Sequence, residues 1–419
     1  MFYTLATKDY TLMPQLKPLK KLVRKARDLR DSHQERHRPT GFGFALSDSI
    51  GYLDSGHWNA VVQAKSLFLS PRYLRVLEEA GPDNLRQRYA LVFRGREPVA
   101  AVAAQSVTVS LSRVSQKPKT GRTAAPLEKV QEKLLVCGNL LSWGMHGIAF
   151  APNENTTELW PAIAEALYRL RRSDKLFGNT DLIMVKDITD PYAEGASALS
   201  RFSYRELETE PNMVLDISPK WATYEDYLAS LTSRYRKQAK DIAKEVAAAG
   251  LQVELLAGPA EVARHGDAIH ALYLQTHHNA RVRLVTLSPK FLPTLAAQLG
   301  QDLRCTILRS DDQLLGFVTT VRDGETAVGY YIGFDRKANA HVPIYFRLLQ
   351  AVVDDAIKFG CRSLSLGRTA LEPKARLGAR PDPFRIWIRH RIPLLNVIVR
   401  GLLHTISDHD EPPERNPFK

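Results

Sequence analysis

The sequence holds only three cysteines, Cys137, Cys305 and Cys361, in 419 residues. They stand far apart among apolar or strand-like neighbours, which excludes a disulfide framework and a cysteine-based zinc pattern and leaves buried free thiols as the expectation. Long apolar runs are missing too. A bilayer-crossing helix needs roughly 18 apolar residues, and the longest late run, IPLLNVIVRGLL, is short and carries Arg400. The N-terminus has Lys8 and Asp9 where an apolar signal core would lie, so the expected location is the cytoplasm. Negative charge is in deficit: 58 Lys and Arg stand against 45 Asp and Glu, a net +13. That balance favours an anionic partner, whether nucleic acid, a phosphate-bearing cofactor or a membrane surface. His277 and His278 are adjacent, so they do not project together, and no nearby acidic residue completes a ligand set; no metal is expected.

What is present reads as a folded protein of mixed α and β order, with 44% apolar and 25% charged residues. Residues 1–40 form a basic extension in which Leu19, Leu22, Val23, Ala26 and Leu29 recur at helical spacing among lysines and arginines. Such a helix suits packing on its own protein, or peripheral contact with an anionic membrane or RNA. Pro39, Thr40, Gly41 and Gly43 then mark a linker.

The chain repeats itself. RYALVFRGREPVAAVAAQSVTVS, residues 88–110, reads as strand, tight turn and strand, and LRCTILRSDDQLLGFVTTVRDGE, residues 303–325, follows the same plan. A further strand and an amphipathic helix follow each hairpin: KLLVCGNLL and NTTELWPAIAEALYRLRRS in the first half, TAVGYYIGFD and VPIYFRLLQAVVDDAIKFG in the second. Later strands are expected at DLIMVKDI and RSLSLG. A helical region, WATYEDYLASLTSRYRKQAKDIAKEVAAAG, precedes the second hairpin and ends at Gly250. The expected fold is α/β (α+β): two tandem domains, 41–205 and 206–419, each a mixed, mostly antiparallel sheet flanked by helices.

This double order resembles the GNAT superfamily of acyltransferases, and its tandem form resembles the Fem-type branch. The likeness is carried by GREPVAAVAAQ and DDQLLGFVTTV, SRYRKQAKDIAKE, ALYLQTHHNAR, YYIGFDRKANAHVPIYFRLLQ and SLGRTALEPKARLG. It implies transfer of an acyl group from acyl-coenzyme A to an amine acceptor in the second domain, with the first domain as scaffold or acceptor side. The Fem-type likeness implies as its alternative a charged transfer RNA as donor and a peptide, cell-wall precursor or lipid as acceptor. A third reading is a binding protein of this fold without catalysis. The chain departs from the superfamily at one corner. Single-domain members have a glycine-rich loop there for the coenzyme A pyrophosphate, whereas this sequence has no glycine between Gly333 and Gly360.

The candidate groups lie in three segments. In YYIGFDRKANAHVPIYFRLLQ, strand alternation puts Tyr330 and Tyr331 on opposite faces. Ile332 shares the face of Tyr330, so Tyr331 is expected in the cleft as proton donor to the leaving group, with Asp335 and His341 relaying the amine proton. Asn339 joins them at the following helix start as a donor-binding residue. In SLGRTALEPKARLG, Arg368, Thr369 and Lys374 follow the carboxyl end of a strand and are candidates for the donor's anionic part. A Glu372–Arg376 pair at i,i+4 is the competing use of that helix. In TSRYRKQAKDIAKE, Arg234 and Lys237, with Lys240 and Lys244, form a basic stripe suited to a phosphate chain or a transfer RNA arm.

Overall fold

The computed structural model describes residues 38–63, 66–110, 131–279, 283–311, 313–392, 395–396 and 415–419. Most of the basic extension and most of the run IPLLNVIVRGLL lie outside them. No described helix is long and apolar enough to cross a membrane.

Residues from Phe42 onward form one compact unit around a continuous sheet. Its strands are β1 (Gly43–Ser47), β2 (Leu85–Arg94), β3 (Glu97–Ser110), β4 (Gln131–Cys137), β5 (Ile148–Phe150), β6 (Leu182–Ile188), β7 (Arg205–Asp216), β8 (Gln252–Leu255), β9 (Leu303–Ser310), β10 (Gln313–Asp323), β11 (Thr326–Phe334), β12 (Ser363–Ser365) and β13 (Arg380–His390). Both expected hairpins are there, β2–β3 and β9–β10, each antiparallel. The sheet order is β1-β2-β3-β4-β6-β13-β7-β12-β11-β10-β9-β8, with β5 beside β3.

That order is a pseudo-palindrome. Each half runs hairpin, third strand, then a parallel partner: β4 with β6, and β11 with β12. The last strands are exchanged. β7, which ends the first half of the chain, pairs with β12 of the second, and β13, which ends the second, pairs with β6 of the first. β7 and β13 pair with each other at the centre. A strand from each half thus completes the other half's sheet, which is why the two repeats make one body.

Three apolar layers cover this sheet. Helix Thr156–Ser173 buries Leu159, Trp160, Ile163, Leu167 and Leu170 on the first half. Its start follows from Asn155, whose side chain accepts from Thr157 N–H. Helix Ile344–Lys358 does the same for the second half with Leu348, Val352 and Ile357; helix Ser233–Ala248 also belongs to that layer. The other side is shared: Trp58, Phe68 and Tyr73 of the first half pack in one cluster with Phe291, Leu295 and Phe317 of the second. Cys137, Cys305 and Cys361 are buried and unpaired.

Candidate active site

Where β11 meets β12 the parallel pairing covers only Thr326–Val328 against Ser363–Ser365. Beyond it the two strands part. β11 continues to Phe334 beside β10, and β12 gives way to Leu366, Gly367 and Arg368. The gap opens a cavity of about 700 Å³. Its lining comes from both faces of the sheet: Ile332, Phe334, Leu349 and Val352 on the side of helix Ile344–Lys358, and Leu140, Ser142, Trp143 and Tyr330 on the other. Side chains from both faces of the sheet therefore meet in one cavity.

β11 carries a bulge at this point. Val318 pairs with Ile332 and Thr320 with Gly329, so Tyr330 and Tyr331 together stand opposite Thr319. Thr319 Oγ1 accepts the Tyr331 N–H at 2.9 Å, which satisfies the amide the bulge leaves unpaired. The extra residue cancels the strand's alternation, and both tyrosine rings enter the same apolar cluster. The expectation that Tyr331 faces the cleft is thereby corrected. Its hydroxyl donates to Leu141 O at 3.0 Å, and Tyr330 lines the cavity in its place. Asn139 Nδ2 donates to Tyr73 Oη (2.8 Å), and Tyr73 and Tyr330 hydroxyls are 2.7 Å apart. Asn139, Tyr73 and Tyr330 thus form one buried hydrogen-bonded chain that ends at the cavity wall. Burial holds the Tyr330 phenol well above its usual range, so it stays protonated.

Three cationic side chains line the same space: Lys186, Arg368 and Lys374. Asp187, fully buried at the end of β6, ion-pairs with both Lys186 and Arg368 and accepts from Gly144 N–H at 3.0 Å. Burial alone would raise its pKa, but the two cations hold it below the usual carboxylate range. Lys186 is pushed down to about 8 by burial, which the partnership with Asp187 only partly offsets. Arg368 also lies over the Phe384 ring, 5.4 Å from its centre, and its buried Nε–H has no partner among the described residues. Lys374, on helix Leu371–Arg376, is 4% exposed, and its ammonium makes no hydrogen bond or ion pair with a described residue. Burial, little relieved by Glu210, pulls its pKa down to about 7. Trp143 completes the wall: its Nε1–H donates to Ser365 Oγ at 2.7 Å, and Ser365 Oγ donates to Asn212 Oδ1 at 3.0 Å.

Of the other expected residues, Asn339 and Thr369 line the cavity. Asn339 Oδ1 accepts the Tyr345 N–H at 2.8 Å while Val342 O accepts the Ile344 N–H, so the first amides of the long helix are already taken. Asp335 is corrected to a helix cap, its Oδ1 holding Ala338 N–H at 2.8 Å, and His341 is exposed; neither lines the cavity. Arg234 and Lys237 are exposed and do not line it either. Glu372 does pair with Arg376 (2.9 Å) and also with Arg415. Sequence reasoning put Tyr330 on the packed face and missed Lys186, Asp187 and Trp143.

Residues 233–375 match the Acetyltransferase (GNAT) domain family. Over that segment the chain carries a GNAT acyltransferase domain. One solved structure bears out the fold. The chain is similar to the crystal structure of FemX (TM-score 0.53, 10% identity, covering 86% of this chain and 99% of that one). Other matches are a tandem GNAT protein from the clavulanic acid biosynthesis pathway (TM-score 0.49, 11% identity, 83% and 98%) and L-PGS from Bacillus licheniformis (TM-score 0.43, 12% identity, 80% and 96%). No curated protein matches. The GNAT match spans β8 to β12, including the strands around the gap, while Leu140, Ser142, Trp143 and Lys186 of the cavity lining lie outside it.

Proposed function

We propose that the chain is an N-acyltransferase that joins an acyl group to an amine inside the β11–β12 cavity, with the half that follows β7 as the catalytic half and the half that ends at β7 as its supporting half. The observation that carries this reading is a cavity with donors left open: the Lys374 amine and the Arg368 Nε–H both lack hydrogen-bond partners among the described residues. Burying unpartnered polar groups costs free energy that a ligand's acceptors would recover. Arg368, with Thr369 and Asn339, binds the anionic part of the donor. Lys374 is half neutral near pH 7 and takes the proton of the attacking amine. Tyr330 O–H stands at the point where charge develops on the carbonyl or leaving group. In this reading Lys374 changes from a phosphate contact to the base, because a neutral amine binds phosphate poorly and a proton well.

The donor is acyl-coenzyme A or a charged transfer RNA. The second is favoured by one feature: Asn339 and Val342 occupy the helix amides that would cradle a pyrophosphate. The exposed stripe of Arg234 and Lys237 then supplies a sequence-independent surface for RNA phosphates. Binding measured at two salt concentrations separates the donors. Transfer RNA binding falls steeply, by about 10-fold or more between 50 and 200 mM salt if several phosphates are contacted, while acetyl-coenzyme A binding changes little. Arg368→Ala weakens the true donor by about 1–3 kcal/mol. Unchanged binding of both donors in a folded Arg368→Ala protein would remove this assignment.

A further inference from the structure

Beside the cavity lie a serine and a histidine joined by a hydrogen bond, with a carboxylate near the histidine's other nitrogen. Ser142, which lines the cavity, has its Oγ 2.8 Å from His146 Nδ1. His146 Nε2 faces Asp323 Oδ2 at 3.7 Å. The imidazole is 8% exposed and stacked on Phe68 with ring centres 4.2 Å apart, so its orientation is fixed. Asp323 is fixed in turn: it ends β10 and accepts from Leu67 N–H and from Ser66 Oγ (3.2 Å). The loop bends sharply to make this possible. His146 N–H donates to Gly144 O at 2.8 Å, and Gly144 has φ +111°, where a Cβ would press on the imidazole at 3.0 Å.

The carboxylate on the Nε2 side favours the tautomer with its proton there, which leaves Nδ1 to accept from the serine hydroxyl. Ser142 and His146 thus have the hydrogen bond of a nucleophile and its base, the ring is held by Phe68, and Asp323 acts on it by charge alone. The parts come from both halves, since Asp323 belongs to the second hairpin and Ser142 and His146 to the first half's loop. The acyltransfer reading uses none of the three.

We propose that Ser142 is an acyl-accepting nucleophile and that transfer proceeds through an acyl-serine ester, an inference that rests on the acyltransferase reading of this cavity. In the first step Ser142 Oγ bonds to the donor's carbonyl carbon, His146 takes the hydroxyl proton, and the bond from that carbon to the leaving sulfur or oxygen breaks. The proton passes from His146 to the leaving atom. In the second step the acceptor's nitrogen attacks the ester, the carbon–oxygen bond breaks, and Ser142 regains a proton as the amine loses one. Nothing is oxidised or reduced.

A fluorophosphonate tests the serine without any knowledge of the donor. Incubated with the whole protein and followed by intact mass and peptide mapping, it should add one phosphonyl group at Ser142. Ser142→Ala should lose the adduct, and His146→Gln should slow labelling at least about tenfold, the low end of what a positioned base contributes. Asp323→Asn should slow it less, because it acts through the histidine. No adduct at Ser142 in the folded wild-type protein would overturn the proposal. So would full transfer activity in Ser142→Ala, and in that event direct transfer stands and the acyltransferase reading survives. Labelling of Ser142 with no transfer to any amine would leave the nucleophile standing and defeat the acyltransferase reading instead.

Discussion

The two halves of this chain begin from one plan and finish it differently. In the first, β4 stops at Cys137 and the chain leaves as a loop, and the place it would have held beside β3 is taken by β5. Gly147 comes so near the end of β4 that a Cβ there would lie 2.3 Å from Gly138 N, so the gap beyond β4 is filled by backbone. In the second half β11 runs on unbroken to Phe334, bulges at Tyr330–Tyr331 and leaves its gap with β12 open. The filled half sends Leu140, Ser142 and Trp143 into the open half's cavity. One repeat has become the wall of the other's site. The exchanged strands β7 and β13 hold wall and site in register.

Cutting the tie between the halves gives the largest expected effect. Asp187→Ala leaves Lys186 and Arg368 buried together without a counter-charge, and loss of one partner from a buried ionic group costs about 3–5 kcal/mol. Urea denaturation should show that loss. A change below about 1 kcal/mol would mean that the halves do not depend on this contact.

A finer test compares the two tyrosines of the bulge. Tyr330→Phe removes the hydroxyl at the cavity and should lower turnover by about 10²-fold, while Tyr331→Phe removes only the bond to Leu141 O and should cost about 0.5–1.5 kcal/mol of stability with turnover nearly kept. The reverse ranking would return the catalytic role to Tyr331 and the cavity to the opposite face.

The same bulge explains where the sequence was readable and where it was not. Period-two runs, turn residues and the 3.6-residue pattern made both hairpins, β11 and helices such as Ile344–Lys358 legible, because those signals are local. The succession of elements along each half followed from the repeat. The exchange of β7 and β13 did not, since both strands carry the same kind of signal whichever half they join. A bulge adds one residue and reverses the faces beyond it, and nothing in YYIGF announces that residue. Lys374 does lie on the expected short helix and lines the cavity, but it was read as a charge, because the sequence EPKAR does not reveal that its ammonium is buried without a partner among the described residues. Ser142, His146 and Asp323 meet only in the folded chain, about 180 residues apart at the extremes, which no spacing rule covers.

Lys374 offers the most direct measurement of the central claim, that the opened half is the place of acyl transfer and that a neutral amine drives it. Its pKa is near 7 in the folded protein against 10.5 for an ordinary lysine, so the active, deprotonated form grows as pH rises through about 7. Between those two values the unfolded chain holds the extra proton, so folding stability also rises with pH across that window. Leaving-group release from the donor, in the presence of an amine acceptor, should therefore show a rising limb with a midpoint near 7 in the wild type. Lys374→Met should remove that limb and lower the rate by about 10²–10⁴-fold while making the protein more stable at neutral pH. An unaltered rate and limb in a folded Lys374→Met protein would contradict the account.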